Sequence, residues 1–329
     1  MRRGALLLLG LPLLLLAGCG LDGPQTTVLP RSDLGRTIHD LFMNISGWAL
    51  LIFVAVEALL IWVVVAFRDR PGRPEPRSVH GHLGLEIAWT LVPVAIVLSI
   101  AIPTVVAIFR TQAAVPAGAL RVEVTGHRWW WEVRYPELGV VTANEVHLPV
   151  GRPVDLTLKS ADVIHSFWVP PLGGKRDLIP GKVNNLTFTV EAPGEYPGQC
   201  AEFCGISHAN MRLLVVARPP GEFEAWARRE ATGPRPPAGD AARGLEAFLA
   251  GGCAACHLIK GVTAGTVGPD LTHFGGRRTL ASGILRNRPE DLAAWLRNPP
   301  ALKPGALMPK LPLTDAQVSA LVAYLRSLE

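Results

Sequence analysis

Cys200-Ala201-Glu202-Phe203-Cys204-Gly205-Ile206-Ser207-His208-Ala209-Asn210-Met211 gathers two thiols, an imidazole and a thioether into one short stretch. Thiolate and thioether are soft donors, and together they favour copper over magnesium, calcium or manganese. A structural zinc site would use four cysteine or histidine ligands, and methionine is not among them. Another imidazole stands upstream, His165 in Asp162-Val163-Ile164-His165-Ser166-Phe167-Trp168-Val169-Pro170. A loop at a strand end could bring it to the cysteines in a sandwich. A single blue-copper ion uses one cysteine. Two cysteines with two histidines and a methionine point to two metal ions sharing bridging thiolates.

The residues around this loop read as β structure. Short runs alternate with turn signals: 121–125, 130–135, 144–148, 153–159, 185–190 and 211–216. Their even spacing predicts an antiparallel sandwich or barrel over 117–218. The metal loop would then join two strands.

Working outward toward the N-terminus, the composition changes. The chain has 329 residues, of which 49% are apolar and 18% charged, with a formal charge of +5. The length allows two or three domains. Basic residues are dispersed without interleaved aromatics, which excludes a nucleic-acid-binding reading. Residues 1–18 read as an export signal: Arg2 and Arg3, an apolar run from Leu6 to Leu16, then Ala17-Gly18 before Cys19. The tetrad Leu16-Ala17-Gly18-Cys19 resembles a bacterial lipoprotein signal, which implies lipidation of Cys19 and an external segment over 19–40.

Two long apolar segments follow within 41–110. Leu41 to Phe67 carries one charge, Glu57, and Leu83 to Phe109 carries one, Glu86. As helices, both are long enough to cross a hydrocarbon core of about 30 Å. Between them lie Arg68, Arg70, Arg73 and Arg77 against Asp69 and Glu75. The positive-inside rule assigns that loop to the cytoplasm and everything after Phe109 to the other side.

Toward the C-terminus, 219–239 is rich in proline and reads as a semi-rigid linker around a short helix-capable piece at 223–229. Helical patterns then fill 240–329: 241–251, 289–297 and 314–328. Cys253-Ala254-Ala255-Cys256-His257 is the c-type haem attachment pattern. Its thiols would bind the haem vinyl groups and His257 the iron. Met308, in Leu307-Met308-Pro309, is the methionine of this domain and the candidate sixth ligand, with His273 as rival. A His–Met pair raises the haem potential. A disulfide within either cysteine pair would close a very short, strained loop, so both pairs read as ligands or attachment points.

The pattern C-x-E-x-C-x3-H-x2-M with the upstream histidine resembles the copper A domain of cytochrome c oxidase subunit II. The resemblance runs from about residue 42 to 216, and 240–329 resembles a class I cytochrome c. Together they imply a multidomain membrane protein. It would have a two-helix transmembrane hairpin, an all-β cupredoxin-like sandwich and an all-α cytochrome c domain. In that family the cysteines bridge two coppers. The resemblance gives His165, Cys200, Cys204, His208 and Met211 as side-chain ligands and Glu202 as a carbonyl ligand. It also puts the Glu202 carboxylate at a magnesium or manganese ion bordering subunit I. Trp129, in Gly126-His127-Arg128-Trp129-Trp130-Trp131, matches the residue that admits electrons from cytochrome c. Glu86, in Glu86-Ile87-Ala88-Trp89-Thr90, matches a carboxylate at the cytoplasmic mouth of a proton path. The implied partners are oxidase subunits I and III, membrane lipid and an external donor, either cytochrome c or an upstream respiratory complex. The implied location is the bacterial plasma membrane, with both soluble domains on its extracytoplasmic side. The implied role is electron donation to subunit I, which reduces oxygen to water with proton translocation. A copper-A nitric oxide reductase subunit and a stand-alone electron-transfer lipoprotein are the alternatives. A quinol-oxidase subunit II is disfavoured by the complete ligand set.

Overall fold

The computed structural model describes residues 21–72, 80–112 and 114–329. The proposed signal 1–18, Cys19 and the loop residues Arg73, Glu75 and Arg77 lie outside the described residues. One compact unit comprises 36–114; the other comprises 115–329 with the segment that ends at Gly35.

The smaller unit is helical. Helix α1 runs over Asp33–Ala66 and α2 over Leu83–Thr111. The first starts well before the apolar run at Leu41. The cause is a cap: Ser32 Oγ accepts from the Gly35 amide at 2.9 Å. The most apolar window of neither helix buries a residue. Phe53, Ile61, Leu91 and Ile102 all stand exposed. Such surfaces suit lipid or partner helices rather than water. Pro93 and Pro103 lie inside α2. Pro103 has no amide proton to give, so the Ser99 carbonyl loses its usual helical donor. Asn44 of α1 donates to it at 3.3 Å. Within a hydrocarbon core a backbone carbonyl needs such a partner.

The larger unit opens with a β-sandwich of ten strands. They are β1 (Leu120–His127), β2 (Trp130–Tyr135), β3 (Val140–Ala143), β4 (Glu145–Pro149), β5 (Pro153–Ser160), β6 (His165–Trp168), β7 (Arg176–Leu178), β8 (Asn184–Thr189), β9 (Gly194–Cys200) and β10 (Arg212–Arg218). One sheet has the order β3-β2-β1-β5-β8 and the other β4-β10-β9-β6-β7. The arrangement is mixed rather than purely antiparallel, because β1 pairs with β5 and β4 with β10 in parallel. Alternation along β1 turns Leu120, Val122 and Val124 inward, and Trp131, Val133, Leu156, Leu158 and Phe167 meet them in the core. The periodicity in the sequence misses β3, β6, β7 and β9. In β9 the cause is Pro197 and Gly198, which read as strand breakers. Gly198 is required there, since a Cβ would stand 2.8 Å from the Trp168 carbonyl oxygen.

The proline-rich stretch is only partly a linker. Helix α3 (Pro220–Glu230) buries Phe223, Trp226 and Ala227 against the sandwich. Trp226 stacks on His147 with ring centroids 4.2 Å apart.

The last ~90 residues build a second core. Helices α4 (Asp240–Ala250), α5 (Pro289–Arg297), α6 (Pro299–Leu302) and α7 (Asp315–Ser327) are joined by the short strands β11 (Leu258–Ile259), β12 (Thr263–Ala264), β13 (Thr279–Leu280) and β14 (Leu285–Arg286). Phe248, Leu292, Leu296, Leu321, Tyr324 and Leu325 fill the core. Helix α4 crosses α7 at Gly244, where a Cβ would lie 2.1 Å from the Ala320 carbonyl oxygen. Thr314 and Gln317 form a capping box that starts α7.

Candidate metal centre and haem pocket

The donors predicted from Cys200 to Met211 converge. Strand β9 ends at Cys200 and β6 begins at His165, and the two strands pair through Phe167 and Cys200. The Cys200 and Cys204 sulfurs stand 3.8 Å apart. His165 Nδ1 is 4.0 Å from Cys200 Sγ, and His208 Nδ1 is 3.6 Å from Cys204 Sγ. Met211 Sδ lies 3.9 Å from Cys204 Sγ. The Glu202 carbonyl oxygen is 3.2 Å from Cys200 Sγ. Two sulfurs thus form a waist, with an imidazole near each and the thioether and carbonyl nearby. His165 and Met211 are fully buried, and Cys200 and Cys204 nearly so.

Electrostatics favour a thiolate at Cys200, with the proton kept on Cys204. The hydrogen bond from Cys204 holds the Cys200 thiol far below its ordinary range, and His165 adds to that effect. The same shared proton pushes Cys204 up, and burial adds to the rise. A cation between the sulfurs would replace that proton. Soft donors closed around a buried point fit copper, so the residues present fit the group.

His165 is oriented by a residue that the sequence pattern does not flag. Its Nε2 donates to Asp162 Oδ1 at 2.8 Å, leaving Nδ1 toward the sulfurs. Asp162 Oδ2 in turn accepts from the Arg128 amide at 2.7 Å. Gly126 makes room for the ring, since a Cβ there would meet His165 Cδ2 at 2.8 Å. The Asp162 signal was available in its spacing of three residues from His165.

Trp129 lies beside this loop and is nearly buried, 9% exposed. Its Nε1 donates to the Cys204 carbonyl at 2.9 Å. Trp131 is core, packed edge-on against His165 and Phe167. His127 stacks on Trp130 with ring centroids 4.3 Å apart. The Glu202 carboxylate faces outward, 3.6 Å from Lys175 Nζ. In α2, Glu86 occupies the first turn, where its carboxylate accepts from the His82 amide at 3.3 Å.

The second set of predicted residues lines one cavity. Cys253, Cys256, His257 and Met308 face it together with Trp295 and Leu321. A one-turn helix over Cys253–Ala255 presents the thiols, and the His257 amide bonds back to Cys253 at 3.1 Å. His257 Nδ1 donates to the Pro269 carbonyl at 2.8 Å, which leaves its lone pair on Nε2. Burial lowers the His257 pKa, so the ring is neutral and able to ligate. Gly268 lies flat against it, where a Cβ would stand 2.6 Å from His257 Cε1. Arg277 is another residue that the motifs miss. It lines the cavity and its Nε is buried with no protein partner, which fits an anionic group on the guest. An apolar cavity with paired thiols, a neutral imidazole, a thioether and a buried guanidinium that keeps its Nε free while its Nη2 donates to the Asp270 carbonyl fits haem c. His273 is not among the residues lining this cavity; it is buried and its Nε2 donates to the Thr232 carbonyl at 3.0 Å.

Known proteins share this organisation. Family profiles match in three places: the transmembrane domain of cytochrome c oxidase subunit II at 30–106, its periplasmic domain at 138–218, and cytochrome c at 241–329. Subunit 2 of cytochrome c oxidase from Alkalihalophilus pseudofirmus is 36% identical over 325 residues, covering 96% of this chain and 94% of the relative. The Bacillus subtilis subunit is 33% identical, covering 98% of this chain and 97% of the relative. A quinol oxidase subunit 2 from Bacillus cereus is 32% identical but covers only 67% of this chain. Among solved structures, the periplasmic domain of CoxB from Bradyrhizobium japonicum is 32% identical over 36% of this chain, with a TM-score of 0.34.

Proposed function

The chain belongs to the cytochrome c oxidase subunit II family and carries a C-terminal cytochrome c domain, and we propose specific residue roles on that premise. It is the membrane-anchored subunit through which electrons enter a haem-copper terminal oxidase. It works in association with other oxidase subunits, and the oxygen-reducing site is not in this chain. Copper A and haem c are its cofactors. When bound, each supplies a one-electron store whose closed ligand shell has no open coordination position for substrate.

The residues divide the work. His165, Cys200, Cys204, His208 and Met211 hold two coppers, with Glu202 contributing its carbonyl oxygen. Cys253 and Cys256 attach the haem, and His257 and Met308 hold its iron. Asp162 orients His165, and Arg277 faces a haem propionate. Trp129 bridges toward the copper loop. The Glu202 carboxylate holds magnesium or manganese against subunit I, and Glu86 opens a proton path. Subunit III completes the assembly, and a cytochrome c or an upstream complex supplies electrons. Cys19 carries lipid, and both soluble domains face the extracytoplasmic side. Helix α3 belongs with the sandwich rather than with a free linker.

The observation that carries this reading is the convergence of both cysteine sulfurs with His165, His208 and Met211 around one buried point. Metal analysis of the purified complex tests it. Two coppers per chain with a mixed-valence paramagnetic signal are expected, and a single copper would reject the dinuclear centre. Assay of oxygen against nitric oxide reduction decides the acceptor.

A further inference from the structure

The haem domain and the sandwich each bury one ionisable group in the other. Lys303, from the haem domain, is 4% exposed. Its Nζ donates to the Trp129 carbonyl at 2.5 Å and to Ser282 Oγ at 2.8 Å. Ser282, itself buried, donates to the same Trp129 carbonyl at 2.7 Å. Reciprocally, Glu145 of β4 is fully buried beneath the haem domain. Its Oε1 accepts from the Arg278 amide at 2.7 Å, the Thr279 amide at 2.9 Å and the Thr279 hydroxyl at 3.2 Å. Arg278 also pairs with Glu195 of β9.

These contacts surround the route between the two sites. The loop that carries Met308 also carries Lys303, Pro304 and Gly305. The Pro304 carbonyl accepts from Ser207 Oγ of the metal loop at 2.5 Å. Gly305 lies directly on the indole, where a Cβ would stand 2.9 Å from Trp129 Cζ3 and 2.3 Å from Ile206 Cγ2. Gly205 of the copper loop also lies against the Trp129 ring, near Cζ2, and the indole Nε1 donates to the Cys204 carbonyl. Trp129 is therefore enclosed between the haem-domain loop and the copper loop. A free cytochrome c has no face of this indole to dock on.

Resting on the reading that these two sites hold haem c and copper A, we propose that Lys303 and Glu145 are positioning residues for electron transfer within the chain. They clamp the haem domain in one register over Trp129, so the domain is a fixed relay rather than a tethered shuttle. The buried carbonyl of Trp129 needs its donors, and the buried carboxylate needs its three. Removing one partner leaves the other unsatisfied in a dry interface. The external donor then delivers to the haem domain and not to Trp129.

The test uses the purified oxidase complex and three variants: Lys303→Met, Glu145→Ala and Glu145→Gln. Haem c is reduced by a light flash, and its reoxidation is followed against the copper absorbance. Hydrogen exchange at the Arg278 and Thr279 amides is read in parallel. Lys303→Met and Glu145→Ala should slow reoxidation on the order of ten- to a hundredfold. Both should unprotect those amides while the haem and copper spectra stay unchanged. Glu145→Gln keeps an acceptor oxygen and should retain the fast rate. Unchanged rates and exchange in Lys303→Met would overturn the proposal, as would equal slowing in Glu145→Gln. If Lys303→Met fails to bind haem, Ser282→Ala, which removes the Ser282 bonds to the Trp129 carbonyl and to Lys303 but leaves the bond from Lys303 to Trp129, takes its place under the same criteria. Missing haem or copper bands in the unaltered complex would reject the assignment of the centres, while amide exchange would still report the clamp.

Discussion

At the residue scale, the decisive groups are few and nearly all buried. Asp162 is expected to matter as much as a direct ligand, because it fixes which nitrogen of His165 faces the sulfurs. Asp162→Ala should lower copper retention about ten- to a hundredfold, read as copper content after dialysis against a chelator. Glu145 makes a pH prediction. Burial alone would raise its carboxyl, but the His147 imidazole and the Thr279 amide outweigh burial and hold it below the usual carboxylate range. Burial keeps His147 itself neutral, and Arg277 adds a favourable charge from the haem domain. Arg218, Arg278, Glu195 and Glu230 are the other charged groups around this cluster. A depressed carboxyl stabilises docking above its free value of about 4.5, and that contribution is lost as pH falls through the lower docked value. Amide exchange at Thr279 should therefore accelerate in acid below the ordinary carboxylate range, and Glu145→Gln should abolish that dependence.

At the element scale, close approaches set the packing. Helices α4 and α7 touch at Gly244 with no room for a methyl group. Gly244→Ala should cost the haem domain about 1–3 kcal/mol, seen as a lower melting temperature of the haem band, with α4 otherwise a better helix. In the hairpin, Asn44→Leu removes the donor to the Ser99 carbonyl that Pro103 leaves open. The expected loss is about 1 kcal/mol, measured as lower resistance of the subunit to detergent extraction from the complex. Conversely, β9 tolerates Pro197 because the strand's identity rests on its neighbours β10 and β6 rather than on local propensity.

At the scale of the whole chain, the fused domain changes what a linker does. With α3 packed on the sandwich, only 231–239 remains to span to α4. A tether of this length alone would supply an effective concentration on the order of millimolar. The buried contacts at Lys303 and Glu145 make the tether secondary to docking. A protease site inserted between Gly233 and Pro234 should therefore be cut without release of the haem domain from the purified complex. Combining the cut with Lys303→Met should release it, measured by haem remaining with the copper-containing fraction.

Chemistry was legible from residue types and spacing, because ligands must be soft, numerous and close along the chain. The Cys200–Met211 loop, the Cys253–His257 turn and the two apolar segments announce themselves without any fold. Regular strands such as β2 and β5 were legible too, since one buried face imposes a period of two. The strands that deliver His165 and Cys200 were not, because β6 is short and β9 carries proline and glycine. Asp162, Arg277, Glu145 and Lys303 carry no motif. Arg277, Glu145 and Lys303 acquire their meaning from a partner distant in the chain or from a cavity wall, Lys303 from Trp129 and Glu145 from Thr279, whereas Asp162 acts on His165 only three residues away. Burial converts such ordinary charges into determinants, since an unsatisfied polar group in a dry interface is costly and a satisfied one fixes position. That is why the cofactors could be read along the chain, whereas the docking that joins them follows from three-dimensional packing.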